Sequence, residues 1–376
     1  MKGLKGLIVT HRGAEQVACQ EVSDLLQQKA KVEEQAVIFF IKNKEELCLL
    51  CYKAQAAIKV LLLLVESDVD FELVRKELSK VKLKEWLHNK TFAVRCMKQG
   101  HEDLHTPEIE GKIGEILVEL CEQQKIKTKV SLEDPDVTVF CFLSEKKLYI
   151  GIDFAGFDLS KRYYKIFQHP ETLKGTIGYT LLRIAGYTAG QLLVDPFCGS
   201  GIIPIEAACF SYNFPVHFYA KDKFAFLKFM KFDFSKIDKK IKKPGKITIF
   251  GFDHNVRYVD VAKKNATIAG VNKYISFSRI AVEWHDTKLG EHSVDLIAGN
   301  PPSASHVVDK KEIEKLYHEL FYQADFVLSK KGKIVLAARD TELAIPAAEK
   351  YKFKVVDEKV VYSSKLGLKV LVFARA

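Results

Sequence analysis

The chain has 376 residues, of which 48% are hydrophobic and 28% are charged, and its formal net charge is +10 with a pI near 9.0. This composition is typical of a soluble protein with two or three domains. It contains no apolar run of membrane-spanning length and no signal-peptide layout, so we expect no membrane segment and a cytoplasmic location. The positive charge favours a polyanionic partner, nucleic acid first.

The eight cysteines are expected to be thiols, because nothing marks the chain for an oxidising compartment. Cys48 and Cys51 form a CxxC within EELCLLCYK, one helical turn apart on an apolar stripe, and are predicted to be core residues. No second CxxC or closely spaced histidine pair completes a zinc site, so we expect no metal. Among oligomeric states we favour a monomer.

The first 155 residues alternate short strands and helices, which predicts two α+β units, a ferredoxin-like one at 1–65 and another at 66–155. The first comprises a strand at 7–9, a helix at 14–28, a strand at 37–41, a helix at 44–52 and a strand at 58–65. The second comprises a helix at 71–87, a strand at 92–96, a helix at 107–124 and strands at 137–142 and 147–152. Residues 156–172 are polar and aromatic and are predicted to be a linker.

Within the second unit, FAVR followed by Lys98, Gly100, His101 and TPEIEGKIGEIL resembles the THUMP domain, an RNA-binding module of RNA-modifying enzymes. The resemblance covers about residues 60–153. Cationic groups here would lie near a strand end and a helix start, where they suit RNA phosphates. The candidates are Arg95, Lys98, His101 and Lys112. A solvated surface is the alternative for each of them.

In the predicted linker, Lys161 and Arg162 stand beside two tyrosines. They could contact RNA through charge and stacking. The alternative is that this segment packs against the following domain.

Residues 173–376 show a longer, parallel-looking alternation, which predicts an α/β domain with a mostly parallel sheet. A helix is expected at 173–187, followed by strands at 191–195, 247–253, 274–279, 294–299 and 332–338 with helices between them. The last two strands, 354–362 and 368–374, are too close for a helical crossover and are predicted to pair antiparallel. This is the layout of class I, Rossmann-like methyltransferases. The lysine-rich run at 236–246 is interpreted as a solvated loop.

The stretch QLLVDPFCGSGIIPIE predicts a buried strand ending in Asp195, a turn containing Gly199 and Gly201, and a helix from Ile202. Glycines allow positive φ and a close approach of the backbone, and such a turn presents a nucleotide-like ligand in a doubly wound sheet. Amide hydrogens at the helix start can also receive a carboxylate or a phosphate. Packing alone is the other reason for such a turn.

Two further acids lie where a sheet of this kind would use them. Asp253 ends the second parallel strand, where a carboxylate can accept hydrogen bonds from both hydroxyls of a ribose. A helix-capping aspartate is the alternative. Asp286 follows the third strand and could accept from an adenine amino group, although an aspartate in a surface loop is the common case.

The segment DLIAGNPP ends a predicted buried strand with Asn300, Pro301 and Pro302, which we predict to be catalytic. Two prolines remove two amide donors and fix φ, so the backbone carbonyls are held toward a cleft. The Asn300 side-chain oxygen and the Pro301 carbonyl are two acceptors for the hydrogens of one exocyclic amine. They would orient its lone pair toward a methyl donor and stabilise the positive charge that develops on nitrogen.

Three segments, VDPFCGSGIIPIEAA, FGFDHNVRYVDVAKKNATIAGV and DLIAGNPP, resemble successive motifs of THUMP-containing, S-adenosylmethionine-dependent RNA guanine-N2 methyltransferases. KFAFLKFMKFD and GFDLSKRYYK are also similar, so the resemblance spans most of the chain. It implies S-adenosyl-L-methionine as cofactor and structured RNA, tRNA first, as substrate. The cofactor site that it implies comprises Asp195, Phe197, Cys198, Gly199, Ser200, Gly201, Asp253, His254 and Asp286.

Within that site, the resemblance assigns the methionine part to Asp195 and the two glycines, the ribose to Asp253 and the adenine amine to Asp286. It assigns the target amine to Asn300 with Pro301. The two assignments place the methyl donor and the methyl acceptor at neighbouring strand ends.

The chain departs from the family directly after Asn-Pro-Pro. The family usually has a tyrosine there, which stacks on the flipped base, whereas this chain has Ser303 and then Ala304 in place of a glycine. Stacking is worth about 1–3 kcal/mol per base, so base binding is expected to weaken unless His306 or another residue stacks instead. The open alternatives are a weakened or inactive RNA-binding protein, a ribosomal RNA enzyme, and a methyltransferase acting on adenine N6 or on DNA.

Overall fold

The computed structural model describes residues 3–99, 104–167, 173–304, 309–363 and 366–376. The chain divides into two compact units, each built from segments that are separated in the sequence. The N-terminal unit comprises Met1–Thr10, Ala18–Leu159 and Ala220–Phe234. The C-terminal unit comprises His11–Val17, Ser160–Tyr219 and Ser235–Ala376. No helix in the described ranges combines the length and the apolar character needed to cross a bilayer.

The elements of the first 153 residues confirm the predicted α+β alternation. In chain order they are β1 (Lys5–Val9), α1 (Glu15–Leu26), β2 (Ala30–Glu33), β3 (Ala36–Phe40), α2 (Glu45–Lys53), β4 (Lys59–Ser67), α3 (Phe71–Ser79), α4 (Lys84–Leu87), β5 (Lys90–Lys98), α5 (Thr106–Gln123), β6 (Thr128–Val130), β7 (Val137–Leu143) and β8 (Leu148–Asp153). The strands form one eight-stranded sheet in the order β2-β3-β1-β4-β8-β7-β5-β6.

Strand β4 joins the two α+β units that the sequence predicts separately. It pairs antiparallel with β1, where Leu61 lies opposite Leu7, and with β8, where Leu62 lies opposite Ile152. The predicted boundary at residue 65 therefore falls within a central strand of a continuous sheet. A pairing between residues some 90 positions apart leaves no local signal in the sequence.

The short elements of this unit differ most from the prediction. Strands β2 and β6 have the mixed sequences AKVE and TKV and lie at the two edges of the sheet, where no alternating apolar pattern is needed. The helix predicted at 71–87 is interrupted, because α3 ends at Ser79 and α4 begins at Lys84.

Residues 220–234 follow the first helices of the C-terminal unit in the chain but belong to the N-terminal unit. They carry aromatic side chains into its core, where Phe234 lies 4.9 Å from Tyr52 and Phe229 lies 5.7 Å from Trp86 between ring centroids. The prediction that Cys48 and Cys51 are core residues is confirmed, since both are fully buried.

The C-terminal unit has the predicted doubly wound layout. Its elements are α6 (Gly175–Ile184), β9 (Leu193–Asp195), α7 (Ile202–Ser211), α8 (Ser235–Asp238), β10 (Ile249–Asp253), α9 (Val256–Ala269), β11 (Ser276–Arg279), β12 (Val294–Gly299), α10 (Lys310–Val327), β13 (Leu328–Ala338), α11 (Thr341–Lys350), β14 (Phe353–Ser363) and β15 (Leu366–Arg375). The sheet order is β11-β10-β9-β12-β13-β15-β14. Strands β9 to β13 run parallel, and β15 pairs antiparallel with both β13 and β14, as predicted.

Both faces of this sheet are buried, because successive residues of each strand pack into different cores. In β13, Ile334 and Leu336 join one core, whereas Val335 and Ala337 join the other. The carboxyl ends of β10, β9 and β12 are adjacent and point the same way. Residues that follow these three strands are therefore brought together at one edge.

Candidate active site

The turn after β9 has the backbone that its glycines predict. Gly199 has a φ of 49° and Gly201 a φ of 81°. A Cβ on Gly201 would lie 3.0 Å from the Cβ of Ala262, so this glycine also lets α7 pack closely on α9. The Cys198 amide donates to the Phe252 carbonyl at 2.8 Å, and the Gly201 amide donates to the Cys198 carbonyl at 2.7 Å. Because these two amides donate to backbone carbonyls, they stabilise the conformation of the turn and are not available to bind a ligand.

Two aspartates end the neighbouring strands β9 and β10. Asp195 is buried, which raises its pKa well above the ordinary value, and it accepts a hydrogen bond from the Phe197 amide at 3.0 Å. Asp253 accepts from the Gly199 amide through Oδ2 at 3.0 Å and from the Asn255 amide through Oδ1 at 2.9 Å. A carboxylate oxygen has two lone pairs, so each Asp253 oxygen can accept one further hydrogen bond, as from a pair of vicinal hydroxyls.

A cavity of about 460 Å³ lies at this edge of the sheet. Ligand-binding pockets typically have about 300–1,000 Å³ and combine apolar walls with a few polar groups. The lining residues come from the ends of four parallel strands and from α9 and α10. They are Pro196, Phe197, Asp253, His254, Tyr258, Ala281, Val282, Glu283, Asn300, Pro302, Glu312, Ile313 and Leu316.

The Asn-Pro-Pro segment follows β12 and enters the same cavity. Asn300 and Pro302 line it, and Pro301 between them is buried. A Cβ on Gly299 would lie 3.1 Å from the Phe197 ring and 3.4 Å from the Pro196 ring. Glycine at this position therefore lets the segment pass directly beside the turn after β9.

The two residues that depart from the family pattern have defined positions. Ser303 is buried, and the side chain of Ala304 packs against the core on the α10 side of the sheet. The Ala304 amide donates to Oδ2 of Asp340 at 2.8 Å. Because Asp340 follows the adjacent strand β13, the segment after Asn-Pro-Pro is anchored to its neighbour in the sheet.

The loop after β11 is held by Gln323 of α10. The Gln323 side-chain oxygen accepts from the Asp286 amide at 3.0 Å, and its nitrogen donates to the Glu283 carbonyl at 2.8 Å. This arrangement places Val282 and Glu283 along the cavity, whereas the exposed Asp286 is not among the lining residues. Glu283 is therefore the acid that lines this wall of the cavity, and the adenine-binding role of Asp286 stays a prediction.

Comparison with known families matches both halves of the chain. A THUMP domain model matches residues 69–153, and a model described as the RMKL-like methyltransferase domain matches residues 162–369, more than half of the chain. The chain belongs to the RMKL-like methyltransferase family. It also carries a THUMP domain at the position that the sequence predicts.

Relatives of this methyltransferase extend along most of its length. The chain is 31% identical to the tRNA (guanine(6)-N2)-methyltransferase of Methanocaldococcus jannaschii over 301 residues. This alignment covers 77% of this chain and 78% of that protein. It is 28% identical to the enzyme of the same name from Archaeoglobus fulgidus over 372 residues. That alignment covers 96% of this chain and 90% of that protein. Among solved structures, SMU.472 complexed with SAH is similar in fold, with a TM-score of 0.80, 20% identity and coverage of 100% and 99% of the two chains.

Three of the four predicted RNA-binding residues of the THUMP domain lie in the described ranges, and each of the three has a protein partner. Arg95 donates to the carbonyls of Val94 and Leu132, and Lys98 donates to the carbonyl of Leu104. Lys112 forms an exposed ion pair with Glu115 at 2.8 Å, which solvent and salt screen. His101 lies outside the described residues. The RNA-binding role of these four residues stays a prediction.

The RNA-binding prediction for Arg162 is contradicted by its burial, whereas Lys161 is exposed and its RNA-binding role stays a prediction. The Arg162 guanidinium is fully buried and pairs with Glu206 of α7 at 2.8 Å, and Tyr164 donates to the same carboxylate at 2.6 Å. Burial opposes the charge of Arg162, but Glu206 outweighs it and raises the pKa of the guanidinium. This stretch of the predicted linker is a packed part of the methyltransferase unit.

Several of the cavity residues are not predicted from the sequence, because they lie on helices whose pattern indicates only packing against the sheet. Tyr258 lies on α9, and Glu312, Ile313 and Leu316 lie on α10. The amphipathic pattern of α10 indicates that Ile313 is buried but not that the buried face borders a cavity. Only the position of α10 beside the ends of β11 and β12 decides that.

Proposed function

We propose that this methyltransferase transfers a methyl group from S-adenosylmethionine to N2 of a guanosine in tRNA. The observation that carries the proposal is a single cavity lined by both Asp253 and Asn300. The two tRNA (guanine(6)-N2)-methyltransferases named above support the substrate class, since one of them aligns with 96% of the chain.

The cavity fits the cofactor in size and in chemistry. Its volume of about 460 Å³ suits a ligand of nucleoside size. Asp253 can accept from two ribose hydroxyls, the apolar side chains of Phe197 and Val282 suit an adenine ring, and Glu283 can accept from its amino group. S-Adenosylmethionine supplies an electrophilic methyl group when it is bound.

The chain activates the acceptor amine by holding it. The lone pair of an aryl amine is delocalised into the ring, so the amine is a poor nucleophile until its geometry is fixed. The Asn300 side-chain oxygen accepts one amine hydrogen, which orients the lone pair and stabilises the positive charge that develops on nitrogen. No strong base is required before attack, because the proton can leave after the new carbon–nitrogen bond has formed.

Glu312 supports guanine as the target base. It lines the cavity together with Asn300 and Pro302. Guanine presents N1–H beside its N2 amine, and a carboxylate accepts from such donors, whereas adenine presents a lone pair at N1 that a carboxylate repels. A carboxylate beside the amine-binding loop therefore favours guanine N2 over adenine N6.

The replacement of the family tyrosine by serine is compatible with an open site among the described residues. Ser303 is buried and Ala304 is anchored by Asp340, and a cavity of about 460 Å³ is lined by the preceding Asn300 and Pro302. A base that leaves the RNA stack can enter such a cavity, and a separate RNA-binding domain helps to present it. These observations favour an active enzyme over a degenerate one.

Methyl transfer to RNA tests the proposal directly. The purified protein would be incubated with labelled S-adenosylmethionine and unmodified tRNA, and the product nucleoside would be identified by mass spectrometry. We expect N2-methylguanosine from the wild type and loss of transfer in Asn300→Ala. Asn272→Ala, which alters an exposed asparagine on the same unit, is the matched control and should remain active. Transfer by Asn300→Ala at the wild-type rate would contradict the assigned role.

A further inference from the structure

A strongly basic loop leads into β10 of the methyltransferase unit. Residues 236–246 are predicted from the sequence to be a loop; the first three belong to the short helix α8, and the rest lead into β10. The segment contains six lysines and one aspartate, all six lysines are exposed, and we call it the lysine loop. Lys242 donates to the carbonyl of Ser211 at 3.3 Å. For Lys239, Lys240 and Lys243, the part of the chain that the structure describes supplies no carboxylate partner. Their charges are therefore directed to solvent or to a binding partner.

The backbone of the lysine loop is held in place by other elements. The Lys242 amide donates to the Tyr212 carbonyl at 2.9 Å, and the Tyr274 hydroxyl donates to the Lys242 carbonyl at 3.0 Å. The Asn213 side chain donates to the Lys240 carbonyl at 2.9 Å. The lysines thus project from an anchored backbone, so binding a polyanion would order only side chains and not the loop itself.

The lysine loop and the cavity lie at opposite ends of the same strand, β10. The loop precedes the amino end of β10, and Asp253 lies at the carboxyl end of the same strand. Lys246 and Asp253 are seven positions apart, a distance of about 23 Å in extended chain. Because Tyr274 bonds to the loop, its neighbour Lys273, which is also exposed, adds to the same basic surface.

We propose that the lysine loop binds the phosphate backbone of the RNA whose base enters the cavity. The inference rests on the proposed function for the identity of the RNA. A tRNA is several times longer than the extended-chain distance of about 23 Å between Lys246 and Asp253, so a nucleotide in the cavity leaves flanking backbone within reach of the loop. Lysine ammonium groups bind phosphates without reading sequence, so the loop supplies affinity and orientation rather than base specificity.

The test is the triple variant Lys239→Gln, Lys240→Gln, Lys243→Gln. Its matched control is Lys330→Gln, Lys331→Gln, Lys354→Gln, which removes three exposed lysines from strands at the other end of the sheet. We expect the loop variant to raise the KM for tRNA about tenfold to a hundredfold while kcat and the KM for S-adenosylmethionine stay unchanged. The slope of log affinity against log salt, measured between about 50 and 200 mM, should fall by about 2–3. The control should keep the wild-type slope.

The outcomes separate this inference from the proposed function. A wild type that methylates tRNA, with a loop variant of unchanged KM and salt slope, overturns the role of the loop and leaves the function standing. A wild type that transfers no methyl group to tRNA overturns the function, and filter binding of the same variants to tRNA still tests the loop. An equal loss in the loop variant and the control would mean that total charge alone governs binding, which also overturns the inference.

Discussion

The Asp340 carboxylate accepts a hydrogen bond from the Ala304 amide at 2.8 Å, across two neighbouring strand ends. Asp340 is also the N-cap residue of α11, yet its side chain makes no capping hydrogen bond to that helix. An N-cap aspartate usually contributes about 1 kcal/mol to helix stability. The chain thus uses this carboxylate to anchor the loop that carries Asn300 and not to cap its own helix.

Removing that anchor is expected to affect catalysis more than folding. Asp340→Ala should lower kcat about 10- to 100-fold, because a small displacement of the amine-binding loop misaligns the acceptor. Affinity for S-adenosylmethionine and the Tm should change little, since neither Asp253 nor a helix cap is lost. Asp340→Asn keeps an acceptor oxygen and should restore most of the activity. Steady-state kinetics with calorimetry of cofactor binding checks this, and an alanine variant with wild-type kcat would contradict it.

Glu312→Gln tests whether the Glu312 carboxylate recognises guanine by accepting a hydrogen bond from its N1–H. A hydrogen bond to a charged group is worth about 1.5–3 kcal/mol, so the KM for tRNA should rise about 10- to 100-fold. Discrimination against a tRNA with adenosine at the target position should fall as well. Glu314→Gln, on the exposed side of the same helix, is the control and should behave like the wild type. An increase in the KM for S-adenosylmethionine instead would make Glu312 a cofactor ligand.

Gly201→Ala is expected to destabilise the methyltransferase unit. A left-handed backbone costs a residue with a Cβ about 1–2 kcal/mol, and the new Cβ would also lie 3.0 Å from that of Ala262. The Tm should fall by several degrees and cofactor affinity should weaken. Gly245→Ala, where a Cβ meets nothing within 4 Å, is the control. Equal Tm values for the two variants would show that the turn tolerates side chains.

Asp195→Asn is expected to raise stability at neutral pH. Burial raises the pKa of Asp195, so the folded state binds its proton more tightly than the unfolded state does. Its ionisation therefore costs stability as the pH rises through and above the ordinary pKa of an aspartate, and the cost is absent in acid. Asparagine can still accept from the Phe197 amide, so the gain in Tm should be present at pH 7 and should vanish near pH 4. A lower Tm for the variant at pH 7 would refute this.

The sequence alone determined the elements whose signals are local. The strand, glycine turn and helix at Leu193–Asp195 and Ile202–Ser211, and the strand that ends at Gly299 before Asn-Pro-Pro, depend on residues within a few positions of each other. Glycine indicates a backbone position with positive φ, and proline indicates one without an amide donor. Both can be inferred without knowing the tertiary contacts of these residues. The class of fold and the place of Asn300 and Asp253 follow from these signals.

The tertiary structure decided how side chains are used, because their partners are far away in the chain. Arg162 meets Glu206 and Ala304 meets Asp340 across 44 and 36 residues, and both pairings turn residues with a surface or loop signature into fixed parts of the unit. Glu283 lines the cavity because Gln323 holds the loop. Burial and pairing of this kind depend on which helices and strands pack together, and this packing cannot be inferred from the residues next to each position in the sequence.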